Sequence, residues 1–468
     1  MNKLPKIKIS QKPTYTKLAE GLDFFKLFEK IESSFDSCYI FESLGEQGRF
    51  SRYSIIGFDP QHIIRARGNS LFFDEKEYQV ENPYHALREI MPEPTIGRNY
   101  SGGLVGYLSY DAANYFDSAV KVKIHDQFDQ FMFGVYTDGL VLDKITNELF
   151  YFYHDQDRSS LLKKIIKSKT KKTSFRAKYL GETLTKSEHA KIVEQVKEEI
   201  KAGNIFQCEV GFKSEFEIIG NSLKIYEKLR QVNPSPFMYF VKFREKKIIG
   251  ASPELLFSLR NGEMQTSPLA GTIRRGKNEA EDQQLARELL SDPKERAEHN
   301  MLVDLHRNDI GKVAEFGTVK VRDLMTVKRF SHVQHISSEI VGIIKRGEDS
   351  FSALAANFPA GTLTGAPKIE SMKIIDRNEP SARGPYGGAV GQFSFNGDCT
   401  FAIAIRSLFI SGNYAYAQTS GGIVYDSVPE KEYDEIQRKL APLKKVLLGN
   451  TSDGGRVSLR TPDSSEVK

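Results

Sequence analysis

The sequence predicts a large mixed fold of helices and β-strands, laid out as two α/β pieces of which the second is larger. Its 468 residues, 40% of them hydrophobic, can bury a large core. Short aromatic and β-branched runs are separated by turns, and segments of helical period stand among them. The strands often adjoin through turns instead of alternating strictly with helices. In residues 14–155, "AEGLDFFKLFEKIES" reads as an amphipathic helix, and "SRYSIIGFDP", "LVGYLSYD" and "FMFGVYTDGLVLD" read as strands. Residues 156–181 are polar and basic without interleaved aromatics, which predicts a solvated helix or linker and no nucleic-acid site. Residues 182–448 resume with the helix "TKSEHAKIVEQVKEEIKAG", and residues 449–468 read as a disordered Gly- and Ser-rich tail.

Bulk properties narrow the class. The 66 Lys and Arg nearly balance 61 acids, and a net charge of +5 argues only weakly for an anionic partner. The opening "MNKLPKIKIS" lacks a signal-peptide core and no run approaches a membrane span, so a cytoplasmic protein without a membrane partner is expected. Three distant cysteines without C-x-x-C suit a reducing compartment.

Two helices carry acids where apolar residues belong. In "DPKERAEHNMLVDLHRND", Asp292 can cap and Pro293 suits the first turn, while Glu295, Glu298, Met301, Leu302 and Leu305 share one side. In "DSVPEKEYDEIQRKLAPLKKVL", Ser427 and Glu430 have capping-box spacing, and Glu432, Glu435, Lys439, Leu443 and Val446 form one stripe. Buried unpaired carboxylates cost on the order of several kcal/mol each. Either these acids pair with Lys or Arg at the surface, or the two helices share a hard cation such as Mg²⁺, which takes oxygen ligands and keeps several waters. Spacing leaves both readings open.

The motifs "GNIFQCEVG", "NPSPFMYF", "ASPELLFSL", "PLAGTIRRG", "ERAEHNMLVDLHRNDIG", "FSHVQHISSEIVG", "FPAGTLTGAPKIESM", "GPYGGAVG", "AIAIRSL" and "SGGIVYDSVPEKEYDEIQRK" cover most of residues 200–445. Through them the chain resembles the chorismate-utilising enzymes. The resemblance implies an α+β fold, a two-layer sandwich of antiparallel β-sheets flanked by helices. It makes 14–155 the regulatory part and 182–448 the chorismate-binding catalytic part. It assigns Mg²⁺ to Glu298 and Glu435, with Glu295 and Glu432 acting through water. Chorismate carries two carboxylates, and cations and amides must balance them. Arg406, in the strand-like "AIAIRSL", offers a planar fork, Lys439 a second cation, and Gly421 and Gly422 close backbone amides. The family usually has Ala-Gly-Ala-Gly where this chain has Thr419-Ser420-Gly421-Gly422, read as a requirement for small residues. Tyr386 and Thr362 match substrate-lining positions, Glu254 the general acid for the departing ring hydroxyl, and His335 the histidine beside the ring.

Two positions select the branch. Where water-using members carry a lysine base stands Gln207, whose amide takes no proton near neutrality. Ala270 replaces a nucleophilic lysine often found in the aminodeoxychorismate branch, the alternative reading. Ammonia is therefore the expected nucleophile, with loss of pyruvate giving anthranilate, the first step toward tryptophan. No cysteine lies in a G-x-C-x-G turn, so a separate glutaminase subunit is expected as the ammonia source. The segment "YIFESLGEQGRFSRYSIIGFDP" resembles the family's site for L-tryptophan as inhibitor. Ser43, Asn233, Pro234 and Met238 match that pocket, with Phe41 where leucine is usual. A non-catalytic partner is disfavoured because Glu254, Glu298 and Glu435 are all present.

Overall fold

The computed structural model describes residues 3–44, 51–97, 100–170, 173–330 and 333–449. Among these residues the strands form two twelve-stranded sheets, and every ladder is antiparallel. The first sheet runs from Thr14–Lys17 through Glu148–Tyr153, Asp138–Asp143, Tyr53–Phe58 and Ser37–Glu42. It continues through Phe237–Phe243, Lys246–Ser252, Ser407–Ser411, Tyr414–Ile423 and Gln207–Gly220 to Phe175–Glu182, with Gly365–Ala366 as a short extra partner. The second joins Leu269–Arg274, Val333–Ile343, Glu263–Thr266, Leu255–Arg260, Cys399–Ile403 and Ala389–Ser394 to Gly103–Leu108 and Phe131–Tyr136, then to three strands between His62 and Gln79; Lys320–Arg329 pairs with Val333–Ile343.

The expected α+β sandwich is therefore present, but residues 14–155 and 182–448 are not separate bodies. Both sheets take strands from both segments: Ser37–Glu42 pairs with Phe237–Phe243, and Gly103–Leu108 with Ala389–Ser394. The physical reason lies in burial. All six residues of Gly103–Leu108 and of Phe131–Tyr136 are buried, so these strands need cover on both faces, which the early segment alone cannot supply. Glycine permits the closest approach: a Cβ on Gly106 would stand 1.9 Å from the Met132 carbonyl oxygen.

One core draws Tyr39, Tyr239 and Phe409 of the first sheet together with Phe133, Phe257 and Phe401 of the second. A second core lies where the first sheet meets Phe24–Glu32, Lys186–Lys201, Leu223–Val232 and Pro429–Leu448. The predicted linker is structured. Ser159–Lys167 is a helix that buries Leu162 and Ile165, and Phe175–Glu182 is the edge strand of the first sheet. Lys163, Lys164, Lys167, Arg176 and Lys178 are exposed on these elements, which is why composition alone resembles a linker. Residues 450–468 of the predicted tail lie outside the described residues.

Beneath the first sheet a fully buried ion pair fastens distant segments. Arg383 Nε and Nη2 donate to Glu379 at 2.9 and 2.7 Å, while Nη1 donates to the Leu363 carbonyl and Nη2 to that of Glu209. Glu379 also accepts from Gly211 N–H at 3.0 Å and Gln418 Nε2 at 3.1 Å. Every polar atom is matched, so removing one partner strands the other charge. Arg383→Met is expected to lower stability by about 3–5 kcal/mol, read as a fall in the urea midpoint; a midpoint equal to wild type would show that the pair carries no such weight.

Candidate functional site

The site forms where the chain steps between the sheets. Lys246–Ser252 belongs to the first sheet and Leu255–Arg260 to the second, and Glu254 lies in the step. Cys399–Ile403 and Ser407–Ser411 make the reverse step, with Arg406 in it. The two crossings are tied together, Ile403 N–H donating to Glu254 O at 3.1 Å and Ala251 N–H to Arg406 O at 3.3 Å. Sequence alternation places Arg406 within a strand; the structure instead puts it between strands in a left-handed conformation at φ +52°. An arginine continuing the strand would project into an apolar layer, and the break turns it toward the site. Its Nη1 donates to the Lys439 carbonyl at 2.8 Å.

Glu254 is buried, and burial pushes its carboxyl up to about 8 although Thr362 Oγ1 donates to it at 3.0 Å. At neutral pH it holds a proton. Thr362 sits in a one-turn 3₁₀ helix and so reaches the acid, as its substrate-lining position implies. His335, on Val333–Ile343, is half-buried, and burial lowers it to about 4. Neutral imidazole donates through Nδ1 to the Gly271 carbonyl at 2.8 Å, which leaves Nε2 as the acceptor. The charges of Arg406 and Lys439 contribute to that lowering, so both lie within electrostatic reach of the imidazole.

The two acid-bearing helices meet there. Pro293–Gly311 starts as its sequence foretells, with Asp292 accepting from the Lys294 and Glu295 N–H groups. Pro429–Leu448 does not: Ser427 Oγ accepts from Val424 N–H at 3.1 Å, so Val428 occupies the cap position without a side-chain bond. Burial, and then the Glu209 and Glu295 charges, push Glu298 up to about 7. Burial also raises Glu295 and Glu432, each further raised by Glu435. Glu432 Oε2 lies 3.2 Å from where a Gly421 Cβ would stand, and Glu295 Oε2 2.8 Å from a Cβ on Gly271. Lys439 Nζ reaches Glu435 Oε1 at 2.7 Å and donates to the Ser420 carbonyl at 2.9 Å. Among the described residues no three His, Cys, Asp or Glu side chains already converge as a cage. A cation here would take one carboxylate from each helix and fill its remaining positions with water, as Mg²⁺ does.

Sequence reasoning missed Glu209. It lies on Gln207–Gly220 opposite Gly422, and a Cβ on Gly422 would stand 2.8 Å from Glu209 Oε1 and 2.5 Å from Gln207 Nε2. Ser420 is more than small: its Oγ donates to Glu209 Oε2 at 2.5 Å and accepts from Tyr386 O–H at 2.9 Å. Burial raises the Glu209 carboxyl, and Lys439 and Ser420 oppose that shift. An acid two residues after Gln207 in an apolar strand is the signal that could have revealed it. Ala270 is buried and offers no nucleophile.

The predicted effector residues adjoin only in part. Leu44 N–H donates to Ser235 O at 3.0 Å, which joins the Ser43 end of Ser37–Glu42 to the turn carrying Asn233 and Pro234. Ser43 Oγ is buried without a hydrogen-bond partner, while Lys144 Nζ donates to its carbonyl at 2.7 Å. Met238, opposite Glu42, instead packs in the helix-side core. A cavity of about 330 Å³ beside them is lined by Glu42, Leu44, Lys144, Arg230, Phe24 and Phe25. The Phe41 ring lies tilted at 50° against that of Tyr39, with centroids 4.9 Å apart. Residues 45–50 of the predicted segment lie outside the described residues.

Residues 36–445 match the family model of the chorismate binding enzymes. The chain is 52% identical over 452 residues to anthranilate synthase component 1 of Leptospira biflexa, covering 95% of this chain and 98% of that one. It is 42% identical over 429 residues to anthranilate synthase component 1 of Methanothermobacter thermautotrophicus, covering 91% and 92%. Among solved structures it is similar to anthranilate synthase component I from Streptococcus pneumoniae, with a TM-score of 0.75 and 31% identity over 86% of this chain and 93% of that one.

The Glu254 shift has a sign that can be checked in stability. Its folded value of about 8 exceeds the ordinary 4.5, so the fold favours the neutral acid. That stabilisation is present at low pH and is lost as pH rises from the ordinary to the folded value. Glu254→Gln cannot ionise and should gain on wild type between about pH 5 and pH 8, measured as the difference in urea midpoints. A constant difference across that range would refute the shift.

Proposed function

The chain belongs to the chorismate binding enzymes, and from that premise we propose that it does the work of an anthranilate synthase component 1, converting chorismate and ammonia into anthranilate, pyruvate and water. The observation that carries this reading is the pair of inter-sheet crossings. They bring Glu254, whose buried carboxyl keeps its proton, together with Arg406, and the neutral His335 on Val333–Ile343 feels the charges of Arg406 and Lys439. It is an enzyme of the lyase type.

Arg406 and Lys439 bind the carboxylates of chorismate, and Gly421 and Gly422 bring backbone amides close to them. Tyr386 and Thr362 line the same space. As ammonia adds to the ring, Glu254 gives its proton to the departing hydroxyl, which leaves as water. His335 Nε2 then accepts the ring proton while the enolpyruvyl C–O bond breaks, and the released group becomes pyruvate. Gln207 cannot activate water, which leaves ammonia as the nucleophile. Glu298 and Glu435 would hold Mg²⁺, with Glu295 and Glu432 acting through water, and the ion supplies positive charge against the substrate carboxylate. The raised carboxyls of this cluster support such a cation, because they mark negative charge that the protein alone does not balance. The mismatch is partial, since Lys439 already pairs with Glu435.

A separate glutaminase subunit would supply ammonia, and cytoplasmic placement follows from that biosynthetic role; no helix of the described residues is long and apolar enough to cross a membrane. L-Tryptophan would act as inhibitor beside Ser43, whose buried, unpartnered hydroxyl awaits a ligand atom.

Purified protein with chorismate, ammonium chloride and Mg²⁺ is expected to give anthranilate fluorescence with one pyruvate per turnover. A chelator, or Glu435→Gln, should lower the rate by about 10–100-fold or more. Accumulation of aminodeoxychorismate without pyruvate would sink the assignment. Adding tryptophan should inhibit, and Ser43→Ala should raise the half-inhibiting concentration about fivefold; inhibition indifferent to that change would place the effector elsewhere.

A further inference from the structure

Glu209 and Ser420 take no part in the mechanism above, yet they are built into its centre. Glu209 and Gln207 alternate on the Gln207–Gly220 strand, so their side chains leave the same face. Both pack against Gly422, Gln207 Nε2 lying 2.5 Å and Glu209 Oε1 2.8 Å from where a Cβ would stand, so the two side chains fill the place that a side chain at 422 would take. Gln207 Oε1 is a buried acceptor with no hydrogen-bond partner. Glu209 is held at both ends: Ser420 Oγ fixes Oε2 at 2.5 Å, Tyr386 orients Ser420 at 2.9 Å, and Arg383 Nη2 holds the Glu209 carbonyl at 2.8 Å. Oε1 is then the oxygen that lies beside Gly422. The Glu209 carboxyl is also within electrostatic reach of Glu254 and Glu298.

Ammonia needs such a place. Its lone pair must face the ring carbon, which turns its N–H groups away from the ring and toward acceptors. A site of donors alone would hold chorismate but leave ammonia free to tumble, while an anionic acceptor also draws in ammonium. Donors dominate the remainder of the site: Arg406, Lys439 and the glycine amides. Glu209 Oε1, an acceptor beside Gly422, is their complement.

We propose that Glu209 Oε1 is the acceptor that receives an N–H group of the incoming ammonia or ammonium, with Ser420 and Tyr386 as the groups that position Glu209. Glu209 is thereby a specificity-determining residue for the nitrogen nucleophile. This rests on the anthranilate-forming reading above.

The test is steady-state kinetics on the full chain with ammonium chloride varied at saturating chorismate and Mg²⁺, paired with equilibrium Mn²⁺ binding followed by electron paramagnetic resonance. Glu209→Gln is expected to raise KM for ammonium about 10–100-fold, the range for loss of a charge-assisted hydrogen bond. KM for chorismate and the affinity for Mn²⁺ should stay within about twofold. Ser420→Ala, which frees the carboxylate without removing it, should shift the ammonium KM in the same direction by about threefold. If Glu209→Gln fails to fold, judged by far-ultraviolet circular dichroism, the Ser420→Ala result decides. An unchanged ammonium KM overturns the proposal, as does a shift confined to chorismate or Mn²⁺, which would assign Glu209 to the anion or the cation. Should wild-type protein form no anthranilate from chorismate and ammonium, it is the underlying reading that fails.

Discussion

Carboxylates drawn from two helices and a strand share one weakly screened volume, and their mutual repulsion is the constraint to which the site answers. Two unit charges 4 Å apart interact by about 4 kcal/mol at the effective dielectric of a protein surface. Glu209, Glu295, Glu298, Glu432 and Glu435 each raise or are raised by another member of the group. The chain offsets this in three ways. Lys439 pairs with Glu435, Ser420 and Gln207 donate hydrogen bonds, and Glu254 keeps its proton. What is left over is negative charge, which favours binding a cation and, through it, an anionic substrate.

Holding those charges together requires a stiff frame. Ten consecutive residues of Gln207–Gly220, from Cys208 to Glu217, pair with Tyr414–Ile423, so the strand bearing Glu209 and the strand bearing Gly421 and Gly422 cannot slide independently. Arg383 and Glu379 clamp the same strands from below. Two of the proposed site residues then come from the steps between layers, where the backbone leaves its ladders and can aim a side chain. Glu254 and Arg406 both occupy such steps, and the steps are bonded to each other. Rigid sheets thus supply position, and the short irregular links supply direction.

How much of this the sequence discloses depends on the kind of signal. Glu298 and Glu435 were legible because helical period states which residues share a face, and acids on an apolar face demand explanation. Glu254 and His335 were legible only through family motifs; nothing in their local pattern distinguishes them from packed residues. Arg406 was assigned to the wrong element, since alternation continues through a crossing that only the sheets reveal. Ser420 was undervalued because its partners, Tyr386 and Glu209, lie 34 and 211 positions away. The division into two pieces was misleading for a related reason: composition changes along the chain, whereas strand pairing ignores it. Met238 and Ser43 share a neighbourhood in sequence motifs, yet strand alternation sends Met238 into the helix-side core.

The interleaving of both sheets also bears on how the chain comes into being. Ser37–Glu42 and Gly103–Leu108 are central strands whose partners are Phe237–Phe243 and Ala389–Ser394. A growing polypeptide therefore exposes the ladder edge of Gly103–Leu108 until roughly 280 further residues have been made, some 15 to 55 s at ordinary synthesis rates. Throughout that interval an apolar strand, buried on both faces in the finished protein, has only Phe131–Tyr136 beside it and one edge without its native partner. Such open edges recruit one another between neighbouring chains. Newborn chains are thus most exposed to aggregation before the last hundred residues emerge, and a helper that shields strands during synthesis would raise the yield of folded enzyme more than any single stabilising substitution in the finished sandwich.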